Sequence, residues 1–174
     1  MKKTVLMNAA KKARIALAVM AVCGFTFAGA QSAFAENVTI DANKNIICGD
    51  GAKVEDTYDM GNSIVIGNNG AMVKGEAGIA IGYGAKAENS NWFGPSIAFG
   101  FYANAEGLFT TAIGADSEAK GIAAVSLGLM TKAEGDDSSA FGSHTYAKGQ
   151  TSTALGWGTH TTENGQSSVA LGYG

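Results

Sequence analysis

Ser96-Ile97-Ala98-Phe99-Gly100 is followed 14 residues later by Thr110-Thr111-Ala112-Ile113-Gly114. The phrase then returns as Ala124-Val125-Ser126-Leu127-Gly128, Ser138-Ser139-Ala140-Phe141-Gly142 and Ser152-Thr153-Ala154-Leu155-Gly156. Each copy reads as a small or hydroxyl residue, a variable residue, a small residue, a large apolar residue and Gly. Looser copies close on Gly67, Gly82 and Gly172. A fixed period this short describes stacked rungs, each burying its apolar residues only against its neighbours.

Each unit divides into two halves of seven. After the first Gly comes a second phrase, such as Ala103-Asn104-Ala105-Glu106-Gly107 or Ser117-Glu118-Ala119-Lys120-Gly121. Two short extended segments per unit, each ended by Gly, describe a flattened coil of parallel strands. The turn glycines Gly100, Gly107, Gly114, Gly121, Gly128, Gly135, Gly142, Gly149 and Gly156 are expected at its corners, where tight turns call for positive φ. No helix is expected after residue 35. The fold class is therefore all-β, a parallel roll of 14-residue rungs.

The halves differ in polarity. The second alternates small residues with charged or polar ones, so one of its faces is buried and the other wet. The first half has no charged face. Its third position is small or β-branched, and its fourth, expected to form the repeat core, is Ile66, Ile81, Phe99, Ile113, Leu127, Phe141, Leu155 or Leu171. A strand without a charged face is usually covered on both sides, and the sequence holds no helix or second domain to cover the outer one. Another copy of the chain is the expected cover, although spacing alone does not say which face meets it.

The flanks of the repeat carry other information. Lys2, Lys3, Lys11, Lys12 and Arg14 form a basic head, followed by an apolar run from Ile15 to Phe27 and the small residues of Ala33-Phe34-Ala35. This pattern predicts a signal peptide over 1–35, cut before Glu36 and exporting the chain. The apolar run is too short for a comfortable membrane span. Cleavage would leave seven lysines against fifteen carboxylates, a net charge of −8. Such a surface repels nucleic acid and anionic lipid. One cysteine, Cys48, would remain, so no internal disulfide is available. Residues 36–62 are expected to be an N-terminal cap with a degenerate first rung, Asn45-Ile46-Ile47-Cys48-Gly49, and residues 63–174 the repeat roll. Extra residues at 56–62, 89–95 and 161–165 are expected to project as loops.

Ser-x-Ala-large-Gly, followed seven residues later by Ala-x-Ala-x-Gly, resembles the head repeats of trimeric autotransporter adhesins, the YadA-like family. Asn62-Ser63-Ile64-Val65-Ile66-Gly67 is similar to a variant of that family's signature, and Thr111-Ala112-Ile113-Gly114-Ala115-Asp116-Ser117 carries its usual continuation. The resemblance spans residues 45–174. It implies a left-handed parallel β-roll packed as a homotrimer, and an adhesive head that attaches a bacterial cell to host cells, extracellular matrix or other surfaces. The family continues into a neck, a coiled-coil stalk and a membrane barrel, whereas this sequence stops inside a repeat at Leu171-Gly172-Tyr173-Gly174. On that comparison the roll is truncated at its C-terminal end and this segment does not itself insert into a membrane. The implied location is the cell surface or outer membrane as part of a full-length adhesin, and otherwise secreted or periplasmic.

Two other readings compete with an adhesive head. A structural spacer, or a truncated non-adhesive fragment, would use the same roll. Ile113-Gly114-Ala115-Asp116-Ser117-Glu118 also matches a hexapeptide of left-handed β-helix acyltransferases, but those enzymes stack 18-residue coils and the period here is 14. His144 and His160 fall at variable positions and read as strand or turn residues. No catalytic residue, cofactor or metal site is expected. Gly49-Asp50-Gly51 and Gly135-Asp136-Asp137 are out of step with a calcium-binding repeat and read as solvated turns. Asn91-Trp92-Phe93-Gly94 places two aromatics in an insertion. Trp92 and Phe93 are the candidate ligand contacts, against the plainer alternative that they plug the gap beside the loop. Trp157 falls at a corner and Cys48 in an apolar core slot.

Overall fold

The computed structural model describes residues 38–55, 61–88 and 94–174. The expected leader over 1–35 and the candidate contacts Trp92 and Phe93 lie outside the described residues. Strands alternate between two sheets as the chain winds. The first sheet takes β1 (Val38–Ile40), β2 (Ile46–Cys48), β4 (Ile64–Ile66), β6 (Ile79–Ile81), β8 (Ile97–Phe99), β10 (Thr111–Ile113), β12 (Val125–Leu129), β14 (Ser139–Ser143), β16 (Thr153–Trp157) and β18 (Val169–Tyr173), in that spatial order. The second takes β3 (Lys53–Glu55), β5 (Met72–Lys74), β7 (Lys86–Glu88), β9 (Asn104–Ala105), β11 (Glu118–Ala119), β13 (Lys132–Ala133), β15 (Tyr146–Ala147) and β17 (His160–Thr161). Among the described residues there is no helix.

The 14-residue phrase sets the register. Ala98, Ala112, Ser126, Ala140 and Ala154 stand opposite one another across successive parallel strands. The exception to parallel pairing is β1, which folds back antiparallel on β2 with Val38 opposite Cys48. Asp41 organises that hairpin. Its Oδ1 accepts the backbone N–H of Asn43 and of Asn45, each at 2.9 Å, and its Oδ2 accepts Asn45 Nδ2 at 2.9 Å. Asn45, fully buried, accepts the Ser63 N–H of the next rung at 2.8 Å. The hairpin thus covers the outer edge of β2 and leaves few ladder groups of the first rung unpaired.

The interior of the coil is thin. Its third-position residues, from Val65 and Ala80 to Ala154, meet Val73, Ala87, Ala105, Ala119, Ala133 and Ala147 of the second sheet, all at 0% exposure. Two sheets joined by short corners approach too closely for larger side chains. The expected repeat core is corrected on this point. Ile66, Ile81, Phe99, Ile113, Leu127, Phe141, Leu155 and Leu171 alternate with the buried third position, so they point outward and are half-buried or exposed. Cys48, in register with Ile66, is likewise half-buried on the outer side rather than in the core.

Both narrow ends of the coil are lined by buried hydroxyls. Where the residue that opens a half-unit between Ser63 and Thr159 is Ser or Thr it is buried, and the hydroxyls of Thr110, Ser117 and Ser152 donate to the carbonyl three residues earlier. Thr110 Oγ1 donates to the Gly107 carbonyl at 2.8 Å, and Ser152 Oγ does so to Gly149 at 2.6 Å. Two such hydroxyls also bond a hydroxyl in the strand interior: Thr131 Oγ1 lies 2.7 Å from Ser126 Oγ of β12, and Ser152 Oγ lies 2.8 Å from Thr161 Oγ1 of β17. These bonds close the turns locally and keep a polar group inside an otherwise alanine-lined coil.

Both glycine columns recur because a Cβ at either would collide with a carbonyl of the next rung, and the first column has positive φ as well. Gly114 has φ of +130°, as do its counterparts Gly100, Gly128, Gly142 and Gly156 within about 12°. Gly107, Gly121, Gly135 and Gly149 do not have positive φ, and the expectation for them is corrected. At that corner the left-handed residue is Phe109, Ala123, Asp137 or Thr151, with φ of 54–59°. Gly121 is demanded by stacking instead: a Cβ there would collide with the carbonyl of Gly135 in the next rung.

Candidate adhesive and docking surfaces

The outer face of the first sheet is built from the second and fourth positions of each phrase. Ile64 and Ile66, Ile79 and Ile81, and Ile97 and Phe99 lie in register across β4, β6 and β8. Thr111 and Ile113, Val125 and Leu127, and Ser139 and Phe141 continue the same columns. No charged side chain interrupts this strip. Phe99 is 50% exposed, Leu155 47% and Ile113 39%. Single exposed apolar residues are ordinary on a protein surface, but a continuous strip on a rigid sheet marks an interaction surface.

The outer face of the second sheet has the opposite character. Lys53 pairs with Glu55 at 2.6 Å, and Glu118 receives both Lys120 and Lys132 at 2.8 Å. Burial pushes the Glu118 carboxyl up, but the hydrogen bonds from Lys120 and Lys132 and their charges outweigh it and hold its pKa below the usual value. The same contacts raise both lysines, first through the hydrogen bond to Glu118. This is a solvated face whose ion pairs contribute little stability each. The expected split between one wet strand and one without a wet face is therefore present on opposite sides of the coil.

A third surface runs along the corner that follows the first sheet. The residue after the closing Gly is Tyr83, Phe101, Leu129, Trp157 or Tyr173 in successive or near-successive rungs, and all five are exposed. Tyr83 and Phe101 stack with centroids 5.5 Å apart and planes 9° apart, and Tyr102 stands edge-on to Phe101 at 4.6 Å. Trp157 stacks on Tyr173 at 4.6 Å, with His144 at 6.0 Å on its other flank. Sequence reading placed Trp157 at a corner and missed the rest of the column. The available signal was a large apolar residue recurring in the slot after Gly, where a polar turn residue is the norm.

His160 is exposed on β17 with its ring edge-on to Tyr146 at 4.7 Å, and His144 sits in a turn with Nδ1 2.8 Å from Ser143 Oγ. Asp50 and Asp136 are exposed turn residues, and Asp136 Oδ1 accepts the Ile122 N–H at 2.8 Å. Among the described residues no three His, Cys, Asp or Glu side chains gather to hold a metal ion. Among them, too, no helix is long and apolar enough to cross a membrane.

Comparison with known families agrees with this geometry. The family model described as YadA head domain repeat (2 copies) matches residues 74–91, 95–117, 119–145 and 147–174, together more than half of the chain. A search of curated protein sequences found no match.

Proposed function

Because the chain belongs to the family of YadA head domain repeats, we propose that it is the adhesive head of a trimeric bacterial surface adhesin, exported by a signal peptide over residues 1–35. Three copies would pack with the apolar outer faces of their first sheets against one another, leaving the charged second sheets and the corners toward the surroundings. The observation that carries this reading is the charge-free strip from Ile64 to Leu155, whose fourth-position column is apolar in every rung and which a single coil leaves open. Covering it would add apolar burial at roughly 25 cal/mol per Å², which matters for a coil whose own interior is mostly alanine methyl groups.

Attachment would be multivalent. Three identical outward faces per head, and many heads per cell, turn weak individual contacts into firm adhesion. The target would be a host cell, a matrix protein or another surface. Immobilised matrix proteins and cultured host cells, exposed to the purified full chain, test the reading directly. Retention above that of a charge-matched control protein is expected. A trimer retained on none of these surfaces would mean that the rod is a spacer.

A further inference from the structure

We propose that the corner of the first rungs holds a binding site for a neutral sugar, one or two pyranose units of a surface glycan. The proposal rests on the adhesive-head reading and names the ligand class that the head engages. An open depression of about 440 Å³ is lined by Asp50, Gly51, Asn68, Asn69, Gly70 and Tyr83. Phe101, from the following rung, stacks on one face of the Tyr83 ring, whereas the other lining residues come from the two preceding rungs. The depression therefore lies toward the free face of a ring that is 46% exposed.

The lining matches a sugar in its two chemistries. A pyranose has a flat face of polarised C–H groups, which the electron-rich face of an aromatic ring attracts, and a rim of hydroxyls that both donate and accept. Here the platform is one ring, and the rim is two Asn amides and a carboxylate. These groups are held in place rather than free to collapse: Asn68 Oδ1 accepts the Asp50 N–H at 2.7 Å, and Asn69 Nδ2 donates to the Tyr102 hydroxyl at 2.8 Å. Tyr102 in turn is braced edge-on against Phe101 and Tyr83. Each amide keeps a further donor or acceptor for a ligand. No Lys or Arg lines the depression, and the carboxylate of Asp50 opposes anions, so a phosphate or an acidic sugar does not fit. A single accessible ring face is also a poor cage for a quaternary ammonium, which favours several rings around the cation. The site is on a turn of a rigid scaffold, where ligand contacts concentrate, and it is polar, unlike the apolar strip assigned to subunit packing.

The test titrates the full chain with lactose, cellobiose, maltose and N,N′-diacetylchitobiose by saturation-transfer NMR, with sialyllactose and choline as the anionic and cationic probes. At least one neutral disaccharide should receive saturation. Its affinity should fall about tenfold or more in Tyr83→Leu, which keeps apolar bulk but removes the platform, and in Asn68→Ala. Trp157→Ala, on the same corner far along the rod, should bind as the parent does. Circular dichroism melts confirm that each variant is folded. No transfer to any neutral disaccharide, equal binding by folded Tyr83→Leu, or a preference for choline or sialyllactose would overturn the proposal. Surface attachment measured on the same preparations separates the two readings. Attachment that persists in Tyr83→Leu overturns the sugar site alone. Tyr83-dependent sugar binding without surface attachment keeps the site and overturns the head.

Discussion

Replacing Ile113 with Asp discriminates between a coil that works alone and one that requires partners. Ile113 lies midway along the apolar strip, between Phe99 and Leu127 in register, and is 39% exposed in the single coil. Full burial of an Ile side chain contributes about 1.5–3 kcal/mol, so its uncovered part leaves about 0.6–1.2 kcal/mol for a neighbouring copy to gain. A carboxylate enclosed there without a partner adds a penalty of roughly 3–5 kcal/mol per chain. Summed over three copies, the loss is on the order of 10 kcal/mol, enough to abolish assembly at micromolar concentration. If the strip instead faced water, the same change would cost about 1 kcal/mol through strand propensity alone. Lys120→Asp on the second sheet is the control: it removes the 2.8 Å pair with Glu118, a surface contact worth about 1 kcal/mol or less. Size-exclusion chromatography with light scattering and a thermal melt by circular dichroism read both variants. The expected result is a dissociated, early-melting Ile113→Asp beside a Lys120→Asp close to the parent. An Ile113→Asp chain that assembles and melts as the parent does would refute the reasoning.

Three further outcomes test the coil itself. Gly121→Ala should lower the melting temperature sharply, by several kcal/mol in stability, because its Cβ meets the Gly135 carbonyl; Ala123→Gly, relieving a left-handed residue at φ 55°, should be neutral or stabilising by about 1 kcal/mol. Reversed signs in the two melts would mean that the corner is wrongly built. Ser126→Val should destabilise by about 1–3 kcal/mol in chemical denaturation, since it leaves Thr131 Oγ1 with one long bond to Gly128 at 3.4 Å; no change would show that the buried hydroxyl pair is dispensable. Glu118 is held below its usual pKa, so its contribution is present above the unfolded value near 4.5 and is lost as pH falls through the lower folded value. Melts of Glu118→Gln between pH 3 and 6 should therefore show a weaker acid dependence than the parent, and identical profiles would contradict it.

Much of this architecture is legible in the residues because a solenoid writes its register as spacing. Gly100 to Gly156 recur every 14 residues, and the strands pair in that frame. The inside and outside of the first sheet are harder to assign. Alternation alone treats Ala112 and Ile113 symmetrically, and the preference for burying the larger residue points the wrong way. What decides it is the separation of the sheets, set by short corners, which admits alanine and excludes isoleucine. Glycine is ambiguous for a related reason. At Gly114 it answers both a backbone angle and the Gly128 carbonyl of the next rung, at Gly121 the Gly135 carbonyl alone, and no single-sequence pattern distinguishes the two. The depression beside Tyr83 was invisible because it joins turns from three rungs, each unremarkable by itself.

Sedimentation equilibrium of the full chain across a wide concentration range tests the central claim most directly. The apolar strip on the first sheet, together with membership of the YadA head family, predicts a single species of three times the chain mass with a β-type circular dichroism spectrum. A folded, stable monomer throughout that range would contradict the account.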